Sequence, residues 1–148
     1  MFIAFRAAGA KDWKSQLAIS EDLAGSSSKL QFHHIFPKAR LAAVPRSQRE
    51  IDDVANLAFV GGSTNLGLGA KLPEEYIPFI LKNKESADLV EQGDQTLFGA
   101  QCIPLSRKLL ALEAYPEFLR ARRELIATRL NEFLGVGPSE FGTRTVRP

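Results

Sequence analysis

The residues with the clearest capacity for chemistry are His33 and His34, the two histidines of the 148-residue chain. A neutral imidazole has an ordinary pKa of about 6.5, so near neutral pH it can accept a proton or bind a metal ion. Adjacent side chains on a β-strand point to opposite faces, but at a strand end both can reach one site. A buried structural His33 beside a surface His34 would give the same pattern, so the pair alone does not define a site.

Two asparagines follow the histidine pair at spacings that fit a hairpin. Asn56 opens a short apolar segment, and Asn65 lies nine positions later, at the start of a predicted short helix. A strand ending in His33 and His34, a loop, a second strand and a helix would bring these four side chains together. This order of elements predicts a ββα-metal hairpin.

Alternation and turn residues indicate the elements that position the four side chains. Residues 29–32 (KLQF) alternate polar and apolar side chains, which predicts a strand ending at the histidines. Residues 35–53 contain two prolines and many polar groups, so we expect an irregular loop. Residues 55–60 (ANLAFV) predict the second strand, and Ser63 or Thr64 is expected to cap the following helix.

Most of the remaining chain is predicted to be helical, so the fold class is α+β, with the ββα-metal hairpin embedded in a mainly helical domain. We expect the domain to span residues 1–134, with its core at about 29–70 and a helical remainder at 74–134, before a flexible tail at 135–148. The predicted helices cover the N-terminal residues to about Gly9, then about 73–81, 105–114 and 116–134. The last helix carries an apolar stripe, which predicts core packing: Phe118, Leu119, Leu125, Ile126, Leu130, Phe133 and Leu134.

The bulk composition is that of one globular domain. Apolar residues make up 45% of the chain and charged residues 24%. No apolar run approaches the ~20 residues that cross a bilayer, so no membrane partner is expected. The single Cys102 cannot form an internal disulfide, which favours a cytoplasmic setting.

The charge distribution suggests where an anionic partner would bind. The net charge is only +2, yet residues 23–49 hold five basic side chains and no acidic one. Lys38, Arg40 and Lys71 flank the histidine and asparagine pattern and are candidates for contacts with nucleic-acid phosphates. A solvated basic surface explains the same charges, so each of these residues alone is a weak indication.

Several segments of the chain together resemble the HNH endonucleases. The resemblance is closest to the HNH domain that ends large restriction-like proteins carrying a ParB-like nucleotide-binding domain. The matching segments extend over roughly residues 9–134: GAKDW (9–13), HHIFPKARL (33–41), ANLAFV (55–60), TN (64–65), KLPEEYI (71–77), IPL (103–105) and FLRARRELIATRLNEFL (118–134). HHIFPK with asparagine at the two later positions is the specific part of the match.

The resemblance implies a role for each of the four polar residues. His33 would bind a divalent metal ion, and His34 would be the general base that takes a proton from the attacking water. Asn56 would brace the loop and fix the ring of His34 by hydrogen bonding. Asn65 would be the second metal ligand, in place of the histidine of the namesake motif. The implied reaction is hydrolysis of DNA to a 5′ phosphate and a 3′ hydroxyl, in restriction or phage defence.

The implied ligand set contains no carboxylate. Mg²⁺ prefers oxygen ligands and usually an acidic one, whereas a nitrogen ligand favours Mn²⁺, Ni²⁺ or Zn²⁺. The expected cofactor is therefore Mg²⁺ or Mn²⁺, with Ni²⁺ or Zn²⁺ as further candidates. Asp52 or Asp53 could supply the missing charge directly or through water, although solvent exposure or capping of the second strand would also account for both.

Two other interpretations remain open from the sequence. The chain could be a nucleic-acid-binding module that keeps the hairpin without turnover, which the complete set of histidines and asparagines argues against. It could also be a fragment or subunit of a nuclease that needs a separate ParB-like nucleotide-binding partner, since such a domain has no room in this chain. A plasmid-nicking assay would distinguish binding from cleavage.

Overall fold

The computed structural model describes residues 1–19, 29–82 and 97–136, and the statements below concern these ranges. The helices are α1 (Phe2–Ala7), α2 (Lys38–Leu41), α3 (Gln48–Ile51), α4 (Gly62–Leu68), α5 (Pro73–Ile80), α6 (Arg107–Leu110) and α7 (Tyr115–Leu134). The strands are β1 (Leu30–His34) and β2 (Leu57–Gly61), and short 3-10 helices cover Val54–Asn56, Gly99–Gln101 and Leu112–Ala114.

The two strands form an antiparallel pair, and α4 follows β2 without a linker and packs against both strands. The register sets Phe32 opposite Phe59 and His34 opposite Leu57, so both histidines occupy the last two positions of β1. The second strand begins later than predicted because Asp53 caps the 3-10 helix before it, accepting the N–H of Ala55 at 2.8 Å. The described chain is therefore α+β, as the sequence predicts.

Buried polar side chains cover the edge of β2 that faces away from β1. In an antiparallel pair, alternate residues direct their backbone groups outward, where they need other partners. Three distant side chains make these bonds: Arg122 to the carbonyl of Leu57 at 2.8 Å, Gln101 to both backbone groups of Phe59 at 2.8 Å each, and Asp12 to the N–H of Gly61 at 2.7 Å. The sheet stays two-stranded because these side chains replace a third strand.

One hydrophobic core joins α1, both strands and α7, and it is rich in aromatic rings. The ring of Phe36, just after β1, contacts Tyr115 and Phe118 of α7 with centroid distances of 5.1 and 4.9 Å. α7 ends at Leu134, and the C-cap residue Gly135 has a φ of +68°, which suits a residue without a side chain. The ββα hairpin therefore packs against the long helix α7.

The buried face of α7 differs from the predicted stripe. Phe118, Leu119 and Ile126 are buried, but Leu125, Phe133 and Leu134 are 43–68% exposed. The turn between the buried positions is occupied by Arg122, which is fully buried. The prediction was wrong for the three exposed positions because hydrophobicity alone did not reveal that a charged residue completes the buried face.

Several predicted elements have different bounds in the structure. The loop at 35–53 contains α2 and α3, and α3 begins with a capping box between Ser47 and Glu50. Neither Ser63 nor Thr64 caps α4, whose N-cap is Gly61. The helix predicted at 105–114 is divided into α6 and a 3-10 helix, and the N-terminal helix ends at Ala7. Most of the predicted tail, from 137 onward, lies outside the described residues.

None of the helices in the described ranges is long and apolar enough to cross a membrane.

Candidate functional site

His33 lies in an aromatic pocket beneath the surface. It is 2% exposed, and its ring packs edge-on against Trp13 and Tyr76, with centroid distances of 5.7 and 5.9 Å. Tyr76 is held in turn by a hydrogen bond from its hydroxyl to the carbonyl of Ile35 at 3.2 Å. Burial lowers the pKa of His33 to about 4, against the weaker opposing effect of its hydrogen bond with Asn65. The imidazole is therefore neutral near pH 7, with a lone pair on one ring nitrogen.

The structure brings His33 and Asn65 together across 32 positions of sequence. The Nδ1 atom of His33 lies 2.8 Å from Oδ1 of Asn65, the middle residue of α4. The Nδ2 atom of Asn65 donates to Oε1 of Gln31 at 2.7 Å. Gln31 and His33 share one face of β1 because side chains alternate along a strand. Asn65 is only partly buried and Gln31 is exposed, so the side of this hydrogen-bond network away from His33 faces solvent.

The position of the proton on the His33 ring bears on whether His33 and Asn65 could bind a metal ion. Its Nε2 is buried and has no hydrogen-bond partner among the described residues. With its proton on Nδ1, the ring leaves a bare Nε2 acceptor in an aromatic pocket. With the proton on Nε2, an N–H beside aromatic rings is tolerated, but two acceptors then face each other at 2.8 Å. A cation between them removes that conflict.

The distance also fits a cation. Two ligand atoms at about 2.1 Å from one ion, at a right angle, lie about 3.0 Å apart, close to the observed 2.8 Å. His33 and Asn65 therefore fit a divalent ion, through one nitrogen and one amide oxygen. The donor set is small and neutral: within the described ranges no group of three or more histidine, cysteine, aspartate or glutamate side chains could hold a metal.

His34 follows His33 as the last residue of β1, and its side chain is 22% exposed. Its Nε2 is 3.2 Å from Oδ1 of Asp52, which also receives the ammonium of Lys38 at 2.6 Å. That ammonium, with a further hydrogen bond from Gln48, lowers the pKa of Asp52 to about 2. Burial of the ring lowers the pKa of His34, and the hydrogen bond to Asp52 opposes this effect. The neutral ring donates Nε2–H to the carboxylate and keeps Nδ1 as its acceptor.

Asn56 braces the loop after β1. Its fully buried side chain accepts the N–H of Phe36 at 2.9 Å and donates to the carbonyls of Phe36 and Ile51 at 3.1 Å each. The expected bond from Asn56 to the ring of His34 was wrong, since the side chain is taken up by backbone groups and Asp52 holds the ring. Asn56 acts on His34 only through the backbone that follows it.

The two aspartates do not supply charge to the His33–Asn65 pair. Asp53 caps the 3-10 helix and pairs with Arg123 at 2.5 Å, in line with the capping interpretation. Asp52 is engaged by His34 and Lys38. The sequence showed Asp52 as an acid near the second strand, but it gave no signal that this carboxylate would meet a histidine 18 positions earlier.

Asp12 is a further functional candidate that the residue types did not reveal. It is 3% exposed, and Oδ2 accepts the hydroxyl of Thr64 at 2.7 Å and the N–H of Ser15 at 2.8 Å, while Oδ1 accepts the N–H of Gly61 at 2.7 Å. Burial raises the pKa of Asp12, but the hydrogen bonds from Ser15, Thr64 and Gly61 outweigh it and the pKa is lowered. The carboxylate fixes the start of α4, directly before Asn65.

The predicted nucleic-acid contacts lie at two places. Lys38 and His34 contact the same oxygen of Asp52, and Arg40 is exposed on α2. Lys71 is exposed after α4, with its ammonium 3.4 Å from the carbonyl of Gly67. The ammonium of Lys14 also approaches Gly67, at 3.9 Å from the position that a side-chain carbon would occupy there.

A cavity of about 420 Å³ lies between α4 and α5, beside these two lysines. Its walls include Lys14, Lys71, Phe79 and Ile80. Neither lysine has a carboxylate partner within the described residues. Sequence reasoning missed Lys14, because its distance along the chain from the hairpin concealed its position next to α4.

Comparisons with protein-family models, with curated proteins and with solved structures found no match to this chain.

Proposed function

We propose that this chain is a metal-dependent endonuclease of the HNH class that hydrolyses DNA phosphodiester bonds. The observation that carries the proposal is the approach of His33 Nδ1 to Asn65 Oδ1 at 2.8 Å, while the next residue in the chain, His34, is held by the carboxylate of Asp52. A neutral imidazole at the end of β1 and an amide oxygen on the helix after β2 are the groups that the ligand pair of a ββα-metal hairpin would need. The HHIFPK segment, with its two later asparagines, supports the same conclusion.

His33 and Asn65 would hold the ion, with Mn²⁺ or Mg²⁺ as the working metal and Ni²⁺ or Zn²⁺ as further candidates. When bound, the ion supplies positive charge to the phosphate and to the departing 3′ oxygen. The low pKa of His33 keeps its nitrogen available at neutral pH. A nitrogen ligand without any carboxylate favours Mn²⁺ over Mg²⁺.

His34 is proposed as the general base. It donates Nε2–H to Asp52, so Nδ1 is the atom that takes the proton from water. As the ring gains that proton it becomes positively charged, and the anionic carboxylate of Asp52 stabilises it. Asp52 is thus a positioning residue, and Lys38 keeps its carboxylate ionised.

DNA is the proposed substrate because lysine and arginine side chains lie near the histidines and α4, and two of them, Lys14 and Lys71, have no carboxylate partner within the described residues. Lys38 shares Asp52 with His34, Arg40 is exposed on the same short helix as Lys38, and Lys14 and Lys71 lie beside α4. These side chains are the proposed contacts with phosphates. The family resemblance leads us to propose a role in restriction or phage defence, with a ParB-like nucleotide-binding domain or subunit as partner.

Nicking of supercoiled plasmid tests the proposal. We expect cleavage with Mn²⁺ that is at least as fast as with Mg²⁺, none in excess chelator, and loss of cleavage in His34→Ala with DNA binding retained. Cleavage that continues in chelator contradicts the metal role, and cleavage by His34→Ala contradicts the base. DNA binding without cleavage under any metal would instead indicate a binding module.

A further inference from the structure

We infer that Gln31 is a positioning residue that decides which atom of the Asn65 side-chain amide faces His33. The oxygen and nitrogen of an amide have nearly the same size, so only hydrogen-bond partners distinguish its two orientations. The two hydrogen-bonding neighbours of the Asn65 side chain in the described structure are His33 and Gln31. Gln31 accepts from Nδ2 at 2.7 Å, which turns Oδ1 towards the imidazole.

The two orientations have opposite consequences for a cation. If Nδ2 faced His33, it would donate to the Nδ1 lone pair, the ring proton would sit on Nε2, and no free acceptor would remain between the two side chains. With Oδ1 facing the ring, the metal-free protein must keep the proton on Nδ1 and leave Nε2 without a partner. The orientation that Gln31 selects is therefore the one that a cation stabilises.

Gln31 is well placed for this role without being part of the core. It is exposed, lies two residues before His33 on β1, and stands opposite Val60 in the register. Substitution there should leave the hairpin folded. The proposed amide orientation rests on the contacts of Asn65 with Gln31 and His33, whereas its effect on metal affinity rests on the function proposed above.

Two variants of Gln31 distinguish the effect of a hydrogen-bond acceptor at this position from the effect of a side chain of similar length. Gln31→Glu can only accept, so it retains the observed orientation, and Gln31→Met has similar length but removes the acceptor. Leu66→Glu is the control for charge, because residue 66 is 85% exposed and adjacent to Asn65 in the chain. Circular dichroism checks that each variant is folded.

The first measurement is the ¹⁵N NMR spectrum of the histidine rings in metal-free protein at pH 7. With only two histidines in the chain, His34→Ala assigns the His33 signals. We expect the proton of His33 on Nδ1 in the wild type, Gln31→Glu and Leu66→Glu, and on Nε2 in Gln31→Met. A wild-type tautomer in folded Gln31→Met overturns the inference.

The second measurement is calorimetric titration with Mn²⁺. Removing a group that orients a metal ligand weakens metal binding by about 10-fold or more. We expect Gln31→Met to lose Mn²⁺ affinity by that factor. Gln31→Glu should bind at least as tightly as the wild type, and more tightly than Leu66→Glu. Unchanged Mn²⁺ affinity in Gln31→Met contradicts the role of Gln31. A wild type that binds no Mn²⁺ contradicts the proposed function instead, and the tautomer comparison still decides the orientation.

Discussion

Replacing Asp12 with asparagine should weaken both the fold and the candidate site, because its carboxylate joins the N-terminal segment to β2 and α4. The best placement of the new amide keeps its oxygen where Oδ2 meets Thr64 and Ser15. The NH₂ group then faces the N–H of Gly61, which the carboxylate had accepted at 2.7 Å. Two buried donors lose their partners, at about 1–3 kcal/mol each.

We therefore expect Asp12→Asn to lower the free energy of unfolding by about 2–6 kcal/mol. At roughly 3 °C per kcal/mol for a chain of this size, the melting temperature should fall by about 6–18 °C. Thermal unfolding followed by circular dichroism measures this change. Asp53→Asn is the matched control, since that carboxylate makes a cap and a surface ion pair and its loss should cost about 1 kcal/mol.

The pH dependence gives a second readout for Asp12. Its folded-state pKa is lowered, so the wild type gains stability above the unfolded pKa of about 3.9 and loses it as the pH falls through the folded value. The advantage of the wild type over Asp12→Asn should thus be complete at pH 7 and shrink below about pH 4. Equal melting temperatures for Asp12→Asn and Asp53→Asn at pH 7 would refute the reasoning.

Three further predictions concern separate parts of the molecule. Asp52→Asn removes the carboxylate that raises the pKa of His34, so kcat should fall on the order of tenfold and the acidic limb of the pH–rate profile should move to lower pH; an unmoved profile would argue against the His34–Asp52 contact in catalysis. The double variant Lys14→Ala/Lys71→Ala should weaken DNA binding for all sequences and reduce its salt slope by about 2, with Mn²⁺ affinity unchanged; an unchanged salt slope would remove these lysines from the DNA interface. Arg122→Met should cost about 3–5 kcal/mol in denaturant unfolding, because three carbonyls lose their hydrogen bonds from the guanidinium; a loss below about 1 kcal/mol would mean that the edge of β2 is satisfied in another way.

The part of the site that could be predicted from the sequence is the part positioned by strand alternation and turn residues. Alternation along residues 29–34 and the break at Gly61-Gly62 indicate a hairpin followed by a helix, and that order brings His33 to Asn65. The Ser47–Glu50 capping box was also visible as Ser-x-x-Glu, although the loop prediction overlooked it. Helix α7 was predictable because its long apolar period ends at a glycine.

The remaining contacts join residues that no periodicity relates. Asp12 meets Thr64 across 52 positions, and Gln101 meets Phe59 across 42. Both side chains satisfy backbone or hydroxyl groups that only the assembled fold exposes to them. The expected bond from Asn56 to His34 was wrong for a similar reason. The Asn56 amide donates to the carbonyls of Phe36 and Ile51, and the ring of His34 is hydrogen-bonded to Asp52 instead.

The most direct test of the central claim is anomalous diffraction from crystals grown with Mn²⁺. We expect a single strong peak at about 2.1–2.2 Å from Nδ1 of His33 and from Oδ1 of Asn65, with Nδ1 of His34 facing the same opening. A wild-type protein that binds Mn²⁺ only elsewhere, or not at all at millimolar concentration, would contradict the assignment of this pair as the metal site of a nuclease.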